Sequence, residues 1–564
     1  MASKINKNHL YSFFLIFATS FILCLPQMMS GNMILGSDAI FHFNRFYDTA
    51  QQIKNLDFHY FISLYGFQGS GRIVNALYGP LFAYAQGLLV LMSKNWFIYQ
   101  VLSNFCLYNL AGLAMYYFLI KAKLNSKYAG VGALLYLSTY SIQYWTIRQG
   151  FTSWGAALLP IALSILFDLE QTNHVPRWYL GSLTALMVQT HMLSAFLLIL
   201  IYLPFFTIAF LKSNDKITFL KDLVIEIGLF FGLTLNIWGA YFMILKDNQL
   251  ISPFVNSHMS LNTINHNSYY WLVNPAILFV LLLVIYWLFL IKWQQIKKLN
   301  ITLWLGVMTV FLVLSSSLIP WSYLVEADNP VAKLIQYPFR FFVPVSIMII
   351  YLFLKLVQSQ QVIRNHKRFV VSSFLVLSLL QTVILIGLAA HNWHSSSDFM
   401  PSKYKVVFLS DTANIKQSFY DLNKEKALKL LVKGTPDYLP LYDQKEGDDT
   451  YYDLYLEKIV RQKAFKKFVK DGKLILEWTA TTDKRVELPV IVYKNTLLEL
   501  NGKILPHDQL SLSPIGTPRL NQMPYQKNRV ILSYKAPISF DICLAITLLM
   551  WGVTVVTLLK KWPK

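Results

Sequence analysis

About twelve apolar runs, each close to the roughly twenty residues a helix needs to cross a bilayer, recur along this 564-residue chain. They fall near 9–29, 97–120, 128–146, 154–169, 177–190, 193–211, 223–245, 272–291, 301–319, 334–355, 369–390 and 538–559. With 55% hydrophobic and 15% aromatic residues, the chain exceeds what a soluble core can absorb, and a polytopic α-helical membrane protein is expected. The two runs flanking His191 are short and suit a hairpin. Residues 10–25 follow Lys4 and Lys7 as in a signal sequence, but no small-residue cleavage motif follows, so they read as an uncleaved first span. Cys24, Cys106 and Cys543 all sit inside apolar runs, which excludes a disulfide framework and a thiolate metal site.

A net charge of +21 invites comparison with nucleic-acid binders. The charge is instead gathered in short clusters between apolar runs, as the positive-inside rule requires, so nucleic acid is not an expected partner and the lipid bilayer is. The run at 76–93 is interrupted by Gly79 and Pro80 and fits an interfacial or re-entrant helix as well as a span. Left outside the membrane, it allows Lys121/Lys123/Lys127, Lys212/Lys216/Lys221, Lys292/Lys297/Lys298, Arg364/Lys367/Arg368 and Lys560/Lys561/Lys564 all to be cytoplasmic. Both termini are then inside. Residues 1–390 form the transmembrane domain with a long first outer loop at 30–96, residues 391–537 form an exported α+β, β-rich domain, and 538–564 are a terminal span with a basic tail. In the exported region 421–432 and 451–472 read as helices. The segments 474–479, 488–493, 497–500 and 530–534 read as strands, with a turn at Asn501–Gly502.

The exported region holds 23 Lys and Arg against 17 Asp and Glu, which leaves twelve acidic residues elsewhere. A carboxylate near a bilayer is costly, so each of these calls for a reason. Asp168, Glu170, Asp215 and Asp222 fall on the cytoplasmic rim. Asp38, Asp48, Asp57, Asp247, Glu326 and Asp328 face outward. The segment GSDAIFHFNRF (36–46) places Asp38, His42 and Arg45 at i, i+4 and i+7, on one face of a helix just past the first span. An acid, a titratable base and a cation at phosphate depth suit chemistry on a phosphate-bearing lipid. The plainer reading of Asp38 is helix capping, by Ser37 or Asp38; that of Asp48 is pairing with Arg45; that of His42 is a hydrogen-bonded structural histidine. Arg148 in WTIRQGF and Arg340 in IQYPFRFFVP could grip a phosphate with paired hydrogen bonds, against the simpler reading of snorkelling to headgroups. His191 has helix packing as its default explanation. His258 and His266, in the outer loop 246–271, lack neighbouring ligands and are weak metal candidates.

DAIFHFNR after the first span, YGPLFAYAQGLL in the first loop, RQGF, THMLSA and IQYPFRF together resemble the bacterial YfhO-like multi-pass proteins, some of which are labelled as related to 6-pyruvoyl-tetrahydropterin synthase. PDYLP (436–440) and LPVIVYKNTLLELNGKILP (488–506) extend the resemblance over essentially the whole chain. Such proteins are similar in layout to GT-C glycosyltransferases, which use polyprenyl-phosphate sugars. The resemblance implies a catalytic role for Asp38 and a donor-phosphate role for Arg340 and Arg148. RQGFTSW lacks the glutamate that related chains carry after this arginine, and no His-rich zinc triad accompanies the pterin-synthase label. The expectation is sugar transfer from a polyprenyl-phosphate donor to an envelope polysaccharide or glycolipid acceptor. Asp38 acts as base, tuned by His42 and Arg45. Trp478, Tyr438 and Tyr442 suit contact with the acceptor. A divalent metal is compatible but not demanded, because no close carboxylate pair stands beside Asp38. The competing expectations are a flippase or transporter of lipid-linked saccharides and an assembly scaffold. A transporter predicts ionisable residues deep in several spans, where this chain has chiefly His191 and Glu226.

Overall fold

In the computed structural model, which describes residues 7–36, 38–272, 276–359, 367–395, 397–400, 404–443 and 448–561, six helices are long and apolar enough to cross a membrane. They are Lys7–Ser30 (α1), Thr152–Thr172, Met192–Lys212, Pro338–Gln358, Val371–His394 and Ile538–Lys561. The pair Lys216–Leu233 and Leu235–Asp247, bent by 62°, makes a seventh candidate. Lys4, Ser37, Arg364 and Lys564 lie outside the described residues. The large apolar side chains Phe14, Phe17 and Phe21 on α1, and Leu548, Leu549 and Val553 on the last helix, are all exposed. Apolar faces of that extent call for a non-aqueous surround, so a multi-pass membrane protein is the plausible class.

The other expected runs are helical but fall short of that test. Trp96–Lys121 has the length but carries Gln100, Asn104 and Asn109 among its apolar residues. The run at 128–146 breaks into Ser126–Leu137 and Tyr140–Arg148, because Thr139 Oγ1 and Gln143 Nε2 bond the carbonyls of Tyr136 and Leu137 in place of the next turn. Tyr179–Thr190, Ile277–Ile291 and Thr302–Ser315 have 12, 15 and 14 residues. The bend at Thr234 leaves the Leu233 carbonyl free of a helical partner. It accepts instead from Gln189 Nε2 (3.1 Å) and from Trp551 Nε1 of the final helix (2.9 Å). Glu226 is not a free membrane charge: its carboxylate accepts from the backbone N–H groups of Trp178 and Gly181.

The ambiguous run at 76–93 forms the 13-residue helix Pro80–Met92, which we label α3, after α2 (Ala39–Asn55). At 1.5 Å per residue α3 is about 20 Å long, too short for a hydrocarbon core of about 30 Å. Pro80 begins it, and Gly79 precedes it at φ 76°. A Cβ on Gly79 would stand 2.6 Å from the Gln189 carbonyl, so only glycine lets the chain pass here. Along α3, Pro80, Ala83, Gln86, Gly87 and Val90 are buried, and Thr49 Oγ1 of α2 bonds the Ala83 carbonyl.

Between the last two candidate spans lies a β-rich region. Its main sheet is antiparallel, in the order Lys466–Lys470, Lys473–Thr479, Lys527–Tyr534, Thr496–Leu500, Lys503–Leu505. The expected turn at Asn501–Gly502, both at positive φ, closes the last hairpin. The expected helix at 451–472 ends at Val460, and 466–470 is a strand. The expected helix at 421–432 is confined to Glu425–Leu430, followed by the strand Leu431–Lys433. The expected strand at 488–493 is an extended core segment: Leu488, Val490, Ile491, Val492 and Tyr493 are fully buried. The N–H groups of Leu488, Ile491 and Val492 bond the carbonyls of Pro518, Ser70 and Gly516, and Tyr493 N bonds Thr496 Oγ1, so no continuous ladder forms.

That segment ties the β-rich region to residues 57–77. Tyr493 OH accepts from Ile73 N, Arg72 Nη2 donates to the Asp437 carbonyl, and Lys467 Nζ donates to the carbonyls of Gln68, Gly69 and Pro489. Phe61, Ile62, Leu64, Ile73 and Leu77 share one apolar cluster with Leu474, Leu476, Ile491, Val530 and Leu532. The two regions therefore fold as one packed body around a common core.

Asp48 does not pair with Arg45. Its Oδ1 accepts from Tyr65 N (2.9 Å) and Gly66 N (3.1 Å), and Oδ2 accepts from Gln52 Nε2 (2.8 Å), which staples the loop before Arg72 onto α2. Burial raises its carboxyl to about 6 from an ordinary 3.8, against the lowering by these hydrogen bonds. The unfolded chain releases this proton near 3.8 and the native protein holds it until about 6. The native state thus binds more protons over that window, and stability falls as pH rises through it. Asp48→Asn is expected to remove this slope. Measured by thermal unfolding, the variant should gain about 2 kcal/mol on wild type between pH 4.5 and 7.5. Parallel pH profiles would overturn this assignment.

Candidate functional site

The segment from Gly31 to Gly36 leads from α1 to α2 and passes directly over the loop after Tyr140–Arg148. Gly36 N donates to Gln149 Oε1, and a Cβ on Gly36 would stand 2.0 Å from the Arg148 carbonyl. This close approach sets Asp38 at the N-terminus of α2. Asp38 makes no side-chain capping bond, so its carboxylate is not spent on the helix end.

The carboxylate lines a cavity of about 370 Å3. His42 comes from the next turn of α2, Tyr144 from the helix before Arg148, and His191 from the break between two helices. Tyr337 and Arg340 come from the short helix opening Pro338–Gln358 and the residue before it. Lys433, Thr435 and Asp437 come from the β-rich region. Of the six acids expected to face outward, Asp38 alone lines this cavity. Burial raises its pKa above 3.8, while the positive charges of Lys433 and Arg340 pull it the other way. The cations acting on it are therefore these two, and not Arg45 as expected.

Arg45 is fully enclosed beneath the cavity floor. Nε donates to Asn75 Oδ1 (3.0 Å), Nη2 to the Tyr78 carbonyl (3.3 Å), and its guanidinium lies 4.7 Å from the Tyr78 ring and 5.1 Å from that of Phe151. Burial lowers its pKa to about 10, and it acts as a scaffold cation rather than a substrate ligand. His42 stacks on Phe151, with ring centroids 4.8 Å apart, and its Nδ1 faces Arg45 Nη1 at 3.3 Å. An arginine can only donate, so Nδ1 accepts and the neutral ring carries its proton on Nε2. Burial and the Arg45 charge hold its pKa well below 6.5. The expected base is thus held as a neutral hydrogen-bond donor.

Arg340 Nη1 donates to the Ile335 carbonyl (2.7 Å) and to Gln336 Oε1 (3.1 Å), and its guanidinium lies 4.9 Å from the Tyr337 ring centre. Its Nε has no hydrogen-bond partner among the described residues. Arg148 does not line the cavity; its charge acts on Tyr140. His191 Nδ1 accepts from Ser194 N and pairs with Ser194 Oγ (2.7 Å), which holds the first turn of Met192–Lys212. His258 and His266 are exposed and stand apart from the cavity. Among the described residues no group of three or more His, Cys, Asp and Glu is arranged to hold a metal ion. Trp478, expected to meet an acceptor, is buried against Phe465 with Nε1 bonded to Gln522.

A larger cavity, about 510 Å3, opens on the opposite side of α2 beside Asn44, Tyr47, Gln68 and Lys467. Lys467 is consumed by three backbone carbonyls and serves as an anchor between chain segments. Lys433, Thr435, Asp437, Tyr144 and Tyr337 are among the lining residues that sequence reasoning passed over. PDYLP contained Asp437 without assigning it a part, and Lys433 was lost among the nearby lysines of EKALKLLVK. Compared with protein-family models, curated proteins and solved structures, the chain matches none of them.

Proposed function

We propose that this protein transfers a sugar from a polyprenyl-phosphate donor to a cell-envelope polysaccharide or glycolipid, at the outer mouth of the membrane bundle. The observation that carries the reading is the meeting of an uncapped, half-buried carboxylate, Asp38, with the guanidinium of Arg340 in one cavity. In this mechanism Asp38 takes the proton from the acceptor hydroxyl as its oxygen forms a bond to the anomeric carbon. The bond from that carbon to the phosphate oxygen breaks, and the electron pair leaves with the lipid phosphate. Arg340 stabilises the charge that develops there. His42, as a neutral Nε2–H donor, holds a sugar hydroxyl or the acceptor oxygen. A carboxyl whose pKa is raised by burial is a stronger base than an exposed aspartate, which suits deprotonation of an alcohol.

The outward orientation is supported by the basic clusters and by the shortness of α3. The transporter alternative loses support, because Glu226 is committed to two backbone N–H groups. The test is incubation of purified protein with radiolabelled polyprenyl-phosphate hexose and crude envelope polymer. Label is expected in the polymer with wild-type protein and not with heat-inactivated protein. Movement of intact donor across liposomes without transfer would establish the carrier reading instead.

A further inference from the structure

The cavity's second cation comes from the far end of the chain. Lys433 ends the strand Leu431–Lys433, which pairs with Val406–Phe408 so that Val406 stands opposite it. It is 7% exposed, and its Nζ spends one hydrogen bond on the Tyr404 carbonyl (2.7 Å) while its side chain faces the same cavity as Arg340. An ammonium has three protons to donate, so burying it with one fixed partner leaves donor capacity aimed at the cavity. Two residues on, Thr435 Oγ1 is buried and without a hydrogen-bond partner among the described residues, as is Arg340 Nε. Unmet buried polar atoms are costly, and three groups able to donate around one cavity call for an acceptor-rich guest. The lining carboxylates, Asp38 and Asp437, face the same two cations, so an anion must compete with Asp38 for them.

We propose that Lys433 and Thr435 of the β-rich region complete, with Arg340, a binding site for a phosphoryl group, clamped between the helical bundle and that region. This rests on the reading of the protein as a user of a phosphate-linked lipid. It goes beyond it by giving the β-rich region a direct part in holding the donor. The competition with Asp38 has a sign: neutralising Asp38 adds one net positive charge to the cavity and should tighten phosphate binding even as it removes the base.

The test is equilibrium titration of the detergent-solubilised full chain with farnesyl phosphate, farnesol and inorganic phosphate. Lys433→Met, Lys433→Arg, Thr435→Val, Arg340→Gln and Asp38→Asn are compared with wild type, each checked by thermal unfolding. Wild type is expected to bind farnesyl phosphate and to ignore farnesol. Lys433→Met and Arg340→Gln should each weaken binding about tenfold or more, Thr435→Val by less, with Lys433→Arg retaining most of it and Asp38→Asn binding severalfold tighter. If Lys433→Met fails to fold, weakening in Thr435→Val decides in its place. Farnesyl phosphate affinity that responds to Arg340→Gln but neither to Lys433 nor to Thr435 substitution would overturn this inference and leave the proposed function standing. Inorganic phosphate binding that depends on Lys433, with no preference for the isoprenyl ester, would keep the anion site and remove the lipid donor. Absence of binding by both phosphates would overturn both.

Discussion

Asp38→Asn is expected to lower sugar transfer by about 10²–10⁴-fold, the usual contribution of a positioned general base, while the protein folds and binds donor. The substitution is nearly isosteric, and Asp38 makes no capping bond whose loss could disturb α2. Asparagine removes only the basicity and the charge. Wild-type activity should also carry an acid limb, because the carboxyl must be ionised to accept a proton and burial places its pKa above 3.8. Rate then falls as pH drops through that raised value. Residual activity of Asp38→Asn should show no such limb. Steady-state rates from pH 4 to 8 for both proteins check this, and wild-type turnover by the variant would return Asp38 to a structural part.

Arg340 carries the second large effect. A guanidinium offers a planar fork of donors that the single ammonium of lysine does not reproduce. Arg340→Lys is expected to raise the donor KM about tenfold and Arg340→Ala up to about a hundredfold, from the 1.5–3 kcal/mol typical of hydrogen bonds to charged groups. Arg148→Lys should change little, since Arg148 contacts Tyr140 and stands outside the cavity lining. Donor kinetics within about twofold of wild type in both Arg340 variants, at normal protein levels, would remove Arg340 from the phosphate site.

What could be read from the sequence followed from local chemistry. The helicity of the apolar runs, the Gly-Pro start of α3 and the Asn-Gly turn each depend on neighbours a few positions away and took the form expected, whereas of about twelve expected spans six helices, or seven with the bent pair, are long and apolar enough to cross a membrane. Asp38 and Arg340 were singled out because a charge beside an apolar run is costly wherever the chain folds. Arg45, by contrast, was placed with Asp38 by helical spacing, and its enclosure follows from Asn75, Tyr78 and Phe151, which no periodicity of α2 could reveal. Residues 488–493 alternate and branch like a strand. The Ile491 N–H at their centre found the Ser70 carbonyl instead, more than four hundred positions upstream. Lys433 stayed hidden for the same reason: nothing near it in sequence marks one lysine among many as the one that faces Asp38.

The shared core between residues 57–77 and the β-rich region bears on how the protein is made. Asp38 emerges from the ribosome early, but the wall containing Lys433 and Asp437 follows only after almost four hundred further residues, and the segment at 488–493 that locks the two regions together follows later still. Contacts of such long range form late and slowly. Until then the nascent helical bundle must hold the Asp38 carboxylate and the Arg340 guanidinium without the partners that enclose them. A chain ending near residue 390 would keep most of its apolar helices yet lack the cover of its own cavity. Folding of the β-rich region, rather than formation of the apolar helices alone, is the step that completes the wall of this cavity.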